Sequence, residues 1–352
     1  MNAYLSQKIK KISFLLMIMV VILHSYNIDI KQGGKILYFE KGFNWFIQNF
    51  ISNGLTRIAV PLFFIISGYL FFIDQKYDFP NILLKIKKRI KTLMIPYLIW
   101  ALLGLFLYFI LQSIPQSKSF FTKKLIIDYS FFDWMNAIFN EPIPYQLWFL
   151  KDLIILVFLS PILYFIVRKF KIIFLLVLFC FWIYNQDSIF LTSEALLFFS
   201  IGVYMSIFTP SLIDNKNKSA YLFLFFWITI LFLKTAIGFY DINPTCENIL
   251  LKISILIGIV AFWSFYDRFN SSKKWNTLYI EIVGFSFFLY LFHEPLLTII
   301  KKFLFSKLPK TQEYYLLVYF LAPLIVIVLT LLIGAFLKSK LNPIYKFITG
   351  NR

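Results

Sequence analysis

The segment Tyr315-Leu-Leu-Val-Tyr-Phe-Leu-Ala-Pro-Leu-Ile-Val-Ile-Val-Leu-Thr-Leu-Leu-Ile-Gly-Ala-Phe-Leu337 contains no charged residue. As a helix rising about 1.5 Å per residue it crosses a hydrocarbon core about 30 Å thick. Inside lipid every backbone amide needs an internal partner, which leaves helices or closed barrels. The run shows none of the apolar–polar alternation that a barrel strand requires, so it predicts a membrane helix. Comparable apolar runs at 12–28, 55–73, 92–112, 147–167, 171–186, 189–207, 220–238, 247–266 and 279–300 bring the predicted crossings to ten. The expectation is an all-α polytopic bundle, a single membrane-embedded domain over residues 1–352.

Composition supports this reading. The chain is 60% hydrophobic and 15% charged, against about 25% charged for a soluble domain. A net charge of +18 would suit a nucleic-acid binder, but the cations sit in short clusters between apolar runs, which is a topology signal. With ten crossings and the N-terminus inside, 21 of the 35 Lys and Arg residues fall in the cytoplasmic clusters Lys8–Lys11, Lys76–Lys91, Arg168–Lys171, Lys216–Lys218, Arg268–Lys274 and Lys338–Arg352. Ten fall outside, in Lys31–Lys41, Lys118–Lys124 and Lys301–Lys310. The positive-inside rule then predicts two cytoplasmic termini and a multi-pass protein of the inner (plasma) membrane. The run Ile12–Tyr26 lacks a small-residue cleavage site and reads as a retained helix rather than a signal peptide. Cys180 and Cys246 form no CxxC or Cys/His array, so neither disulfide nor metal is expected. The outer segments 29–54 and 113–146 mix aromatic and polar residues, as interfacial helices or aromatic anchors do.

Chemistry concentrates at a few polar positions. Both histidines of the chain, His24 and His293, sit within apolar runs, where an ionisable side chain is costly and suggests function. A neutral histidine bonding a neighbouring helix is the bland alternative. Both are predicted in the outer half of outward-running helices, which favours a shared site. Arg57 lies near the outer end of the second predicted helix, with Ser67-Gly68-Tyr69 deeper, where glycine permits close helix approach. In Leu147-Trp148-Phe149-Leu150-Lys151-Asp152 the last two charges can compensate each other. The ninth helix carries Tyr290 and Glu294 one turn apart beside His293, and Pro295 then loosens the helical ladder. Glu194, Lys234, Lys252 and Glu281 stand near helix ends, where snorkelling accounts for them. The basic patch Lys85–Lys91 reads as a topological anchor for anionic lipid or as a phosphate clamp. No Gly-rich phosphate loop, GxSxG elbow or HExxH appears. The residues alone leave a membrane enzyme and a transporter level.

Six segments taken together resemble the acyltransferase-3 family, bacterial membrane proteins that move acyl groups, usually acetyl, onto sugars of surface polymers. They are Met19-Val-Val-Ile-Leu-His24-Ser25, Ala59-Val-Pro-Leu-Phe-Phe-Ile-Ile-Ser67-Gly68-Tyr69, Lys88-Arg89, Ile95-Pro96-Tyr97-Leu-Ile-Trp100, Leu147-Trp148-Phe149-Leu150 and Ser286-Phe-Phe-Leu-Tyr290-Leu-Phe-His293, in family order. The family commonly has an arginine eleven residues before the first histidine. Here Ser13 stands in that place, and Lys10 lies close to the same helix face.

The resemblance implies an O-acyltransferase with acetyl-CoA as donor substrate, no permanently bound cofactor, and a surface glycan or lipid-linked sugar as acceptor. It implies that Lys88, Arg89 and Lys10 contact the donor and that His24 takes the acceptor's proton. Tyr290, His293 and Arg57 become candidates for oxyanion stabilisation, with Ser67, Tyr69 and Trp148 as further substrate contacts. The alternative is a transporter or flippase for a glycolipid. Broken helices or internal repeats would favour it, and neither is evident in the sequence.

Overall fold

The computed structural model describes the chain apart from residues 1–2, 29–30, 33–34, 37–40, 74–78, 116–120, 122–123, 189, 215–219, 270–280, 310 and 352. Of the charges counted for topology, Lys76, Lys118, Lys123, Lys216, Lys218, Lys273, Lys274, Lys310 and Arg352 lie outside the described residues. The described part is helical except for connecting segments and one antiparallel ribbon, β1 (Lys31–Gln32) with β2 (Lys35–Ile36). Its helices are α1 (Ala3–Ser25), α2 (Phe43–Ile51), α3 (Ala59–Phe72), α4 (Phe79–Ser113), α5 (Phe131–Met135) and α6 (Leu147–Ile183). They continue with α7 (Ser193–Phe208), α8 (Ser211–Asp214), α9 (Ala220–Phe239), α10 (Pro244–Phe269), α11 (Ser286–Lys307), α12 (Gln312–Lys340) and α13 (Asn342–Ile348).

Each predicted apolar run meets a helix, with shifted bounds. α1 and α4 begin well before the predicted starts because lysine and arginine end an apolar run without ending a helix. The start of the predicted 279–300 segment is outside the described residues, and α11 runs later, to Lys307. α6 joins two predicted helices, and Lys171 breaks it with φ 50° and ψ −126°.

Among the described residues six segments are long and apolar enough to cross a membrane: Phe43–Phe72, Pro80–Ser113, Leu147–Ile183, Ala220–Phe239, Pro244–Arg268 and Gln312–Lys340. That is fewer than the ten expected, for physical reasons. α7 is short, α6 holds two predicted crossings, and α1 carries Lys8, Lys10 and Lys11 before only 14 further residues. Along the six, Phe106, Phe158, Phe225, Phe232, Leu332 and Phe336 remain exposed. Water would oppose that exposure at roughly 25 cal/mol per Å² of apolar surface; lipid does not. The chain is a multi-pass helical membrane protein.

The chain divides into two compact units. The first comprises Met1–His24, Trp45–Lys87 and Ile155–Ser286, and the second Ser25–Asn44, Lys88–Ile154 and Phe287–Arg352. Within the first unit α9 and α10 pack as a hairpin, and α3 packs along α7. Glycine makes the second pairing possible. A Cβ on Gly68 would collide with the Phe199 carbonyl oxygen, and one on Gly202 with that of Ile65. The two backbones therefore touch reciprocally, the small-residue packing that membrane helices favour.

Buried charges in this unit are compensated internally. Lys8, 1% exposed, meets Asp267 at 2.7 Å and lies over the Trp263 ring at 4.2 Å. Lys234 is buried and pairs with Glu247 at 3.1 Å. Lys252 donates to the Trp182 carbonyl at 2.9 Å and to Asn185 Oδ1 at 2.7 Å. Snorkelling therefore does not describe Lys234 or Lys252: their ammonium groups end on protein acceptors.

The second unit is tied by polar side chains to backbone carbonyls. Tyr97 donates to Ile138 at 2.8 Å, Trp100 to Ile348 at 3.1 Å, Ser25 to Tyr319 at 2.6 Å and Asn27 to Tyr315 at 2.9 Å. Gly350, at φ 68°, ends α13 where a Cβ would meet the Thr92 carbonyl oxygen.

Candidate active site

His24 stands half-buried in the last turn of α1, in the first unit. The buried face of α2 in that unit is polar, not apolar. Gln48, Asn49 and Ser52 are all buried, followed by Thr56. Ser52 Oγ donates to the Ile22 carbonyl at 3.0 Å, two residues before His24. A buried polar stripe in a membrane protein marks function by default. Its spacing was visible in the sequence as polar residues at 48, 49, 52 and 56, a helical period.

Arg57 is exposed, in a 3-10 turn before α3, and donates to Asn53 Oδ1 at 2.9 Å. Ser67 is half-buried and Tyr69 is buried. Tyr69 lines an apolar cavity of about 400 Å³ with Leu62, Ile65, Phe198 and Trp263. Lys10, expected close to the helix face of the position that Ser13 holds, is exposed. The buried cation of α1 is Lys8, because Asp267 accepts from it.

The second unit holds His293, Tyr290 and Trp148 around an interrupted helix. Glu294 takes extended dihedrals, φ −115° and ψ 141°, so α11 is two helical pieces. Proline explains part of this. Pro295 has no N–H to bond the Leu291 carbonyl four residues back, and a membrane interior supplies no water to replace it. Gln146 does so: its Nε2 donates to the Leu291 carbonyl at 3.3 Å and to that of Glu294 at 2.9 Å. In return Tyr290 Oη donates to the Gln146 carbonyl at 2.8 Å. Tyr145 Oη donates to Glu294 Oε1 at 3.0 Å. The segment before α6 is thus pinned to the break by side chains from both partners.

His293 is fully buried, and its Nδ1 lies 3.1 Å from the Leu289 carbonyl and 2.8 Å from that of Tyr290. Carbonyl oxygens only accept, so Nδ1 carries the proton. A neutral ring in that tautomer presents Nε2 as a lone-pair acceptor. It can orient a hydroxyl or take its proton. It cannot donate to an oxyanion without becoming imidazolium, which disfavours the oxyanion role expected for His293.

Trp148 is half-buried, in the first turn of α6. Lys151 donates to the Asn140 carbonyl at 3.3 Å, while Asp152 is buried. Lys88 is exposed and Arg89 half-buried on α4. Sequence reasoning missed Tyr145, Gln146 and Lys301 and gave Glu294 no role. Lys301 was counted among outer-loop charges, yet it is 7% exposed and its Nζ lies 3.4 Å from the Tyr26 carbonyl.

The break in α11, like that in α6, is a feature the sequence did not disclose. Only Pro295 hinted at the first. Among the described residues no group of three or more His, Cys, Asp or Glu is placed to hold a metal.

A family model described as an acyltransferase domain matches residues 14–338. The chain is also similar to the succinoglycan biosynthesis protein ExoH of Rhizobium meliloti (strain 1021), with 27% identity over 363 residues, covering 100% of this chain and 94% of that protein. No solved structure matches it.

Proposed function

The chain belongs to the acyltransferase-3 family and is an acyltransferase; on that premise we propose that it moves an acetyl group from cytoplasmic acetyl-CoA to a sugar hydroxyl of a surface polysaccharide. A relative named for succinoglycan biosynthesis supports the glycan acceptor. The observation that carries the chemistry is a buried imidazole, His293, whose Nδ1 proton is committed to two backbone carbonyls, the tautomer that makes Nε2 a lone-pair acceptor. In this reading the protein spans the inner membrane ten times with both termini cytoplasmic, as the excess of inside charge supports.

The reaction balances simply. His24, as general base, takes the proton of the acceptor hydroxyl while its oxygen attacks the thioester carbonyl. The C–S bond breaks, and the thiolate leaves and is protonated to free CoA. His293 orients the hydroxyl through Nε2, and Arg57 is the candidate donor to the developing oxyanion, since the single hydroxyl proton of Tyr290 is committed to the Gln146 carbonyl. Lys88 and Arg89 hold the donor's phosphates.

A glycolipid transporter or flippase is the second reading, and the interrupted α11 with buried His293 and Glu294 favours it. Mass analysis of the surface glycan from a deletion strain separates the two. Loss of an acetyl mass from an unchanged polymer supports transfer; loss of the polymer itself overturns it in favour of transport.

The donor assignment has its own expected result. Changing Lys88→Gln and Arg89→Gln removes charge-assisted phosphate bonds worth about 1.5–3 kcal/mol each. Acetyl-CoA affinity of the purified protein should fall roughly ten- to hundredfold for each of the two substitutions. Unchanged affinity with altered lipid binding would make the patch a topological anchor.

A further inference from the structure

The second unit contains a cavity of about 780 Å³ whose wall is the segment from Lys124 to Trp148, closed by the end of α4 and by Lys302 of α11. Its volume falls in the range of ligand pockets, about 300–1,000 Å³. The wall is built rather than loose. Ser130 and Asp133 form a capping box at the start of α5, and Gln112 Oε1 accepts from the Ile126 amide at 2.8 Å. After α5 the chain makes a π turn, Asn136–Asn140, closed by the Glu141 amide donating to the Asn136 carbonyl at 2.8 Å. Such turns occur frequently at functional sites.

Two kinds of side chain line the space. Tyr108, Tyr129 and Trp148 offer aromatic surface, while Asn136, Asn140 and Glu141 offer donors and acceptors. Asn136, Asn140 and Glu141 are all exposed, so their polar groups are open to a ligand. Charge is balanced: Lys124 and Lys302 stand against Asp133 and Glu141. Asp133 stays ionised, since the Lys124 ammonium and then the Ser130 hydroxyl and amide hold its carboxyl down at about 2. A phosphorylated donor such as CoA would call for excess positive charge. A pyranose asks for something else: aromatic cover for its C–H faces, and mixed donors and acceptors for hydroxyls that do both. The cavity also touches the reacting region. Tyr145 lines it and donates through its hydroxyl to Glu294, the residue after His293.

We infer that this cavity is the acceptor subsite, binding an uncharged sugar unit of the glycan beside the break in α11. The inference rests on the acyltransferase reading, but its test does not need transfer to occur. The probe is the surface glycan of the source organism, stripped of esters by mild base and cut to its repeating-unit oligosaccharide. Binding to the full-length protein in detergent is measured by saturation-transfer NMR, with acetyl-CoA binding followed on the same samples.

Wild type should bind the oligosaccharide saturably. The double change Asn136→Ala and Asn140→Ala removes two amides from a turn at the cavity wall and should weaken binding about tenfold or more, since one hydrogen bond contributes about 0.5–1.5 kcal/mol. Glu141→Gln, which keeps the shape, should weaken it less, and acetyl-CoA affinity should not move. Equal oligosaccharide affinity in wild type and all variants, or no binding by wild type, overturns the subsite. Binding that follows this pattern without any acetyl transfer would sustain the subsite and sink the acetyltransferase reading instead.

Discussion

His24→Ala protein should insert and fold, yet transfer acetyl at least about a hundredfold more slowly than wild type, because a general base typically contributes about 10²–10⁴ in rate. Folding should survive because α1 is held elsewhere. Lys8 is paired with Asp267 at one end, and Ser52 donates to the Ile22 carbonyl near the other. Replacing a half-buried ring with methyl also leaves no charge behind. The assay follows labelled acetyl from acetyl-CoA onto the glycan, using purified protein matched for quantity and thermal stability. A base must be unprotonated to act, so wild-type rate should fall on the acid side, and that limb should vanish from the residual activity of the variant. Near-normal transfer by well-folded His24→Ala protein would return His24 to helix packing. If alanine lowers expression, His24→Gln keeps a polar side chain of similar reach but no base, and the same loss is expected of it.

Much of the architecture was legible because lipid makes hydropathy decisive. A segment such as Tyr315–Leu337 has no other stable place. Gly68 was legible too, since glycine in a membrane helix signals close approach, although its partners at Phe199 and Gly202 were not. What the sequence withheld depends on contacts between distant positions. Lys8 and Lys10 are equivalent as residues, and only Asp267, 259 positions away, decides that Lys8 is the buried one. Pro295 announced a freed carbonyl, but Gln146, far earlier in the chain, is what satisfies it. Lys301 looked like a loop cation because charge ends an apolar run, yet α11 continues to Lys307 and carries it inward. The polar wall at residues 124–148 could not be read from hydropathy at all. Apolar and polar residues are mixed along it, and its pocket exists only once the π turn and the capping box have bent it.

His293 should prove separable from His24. Asn at position 293 retains an amide donor near the place of Nδ1, so the bonds to the Leu289 and Tyr290 carbonyls can persist and the break in α11 should hold. What it lacks is the second ring nitrogen. If Nε2 orients the acceptor hydroxyl by accepting from it, His293→Asn loses one hydrogen bond, about 0.5–1.5 kcal/mol when neutral and up to about 3 if the proton is partly transferred. Transfer should then fall roughly tenfold, with most of the change in acceptor KM. Because the base is elsewhere, the acid limb of the pH profile should remain. Steady-state kinetics in both substrates, across pH, read all three quantities at once. A loss of about 10²–10⁴ in kcat with the acid limb abolished would instead make His293 the base, and His24 would then be the group that orients. An unchanged kcat and acceptor KM would leave Nε2 without a part in the reaction, and the buried ring would serve only to hold Leu289 and Tyr290 ahead of the break.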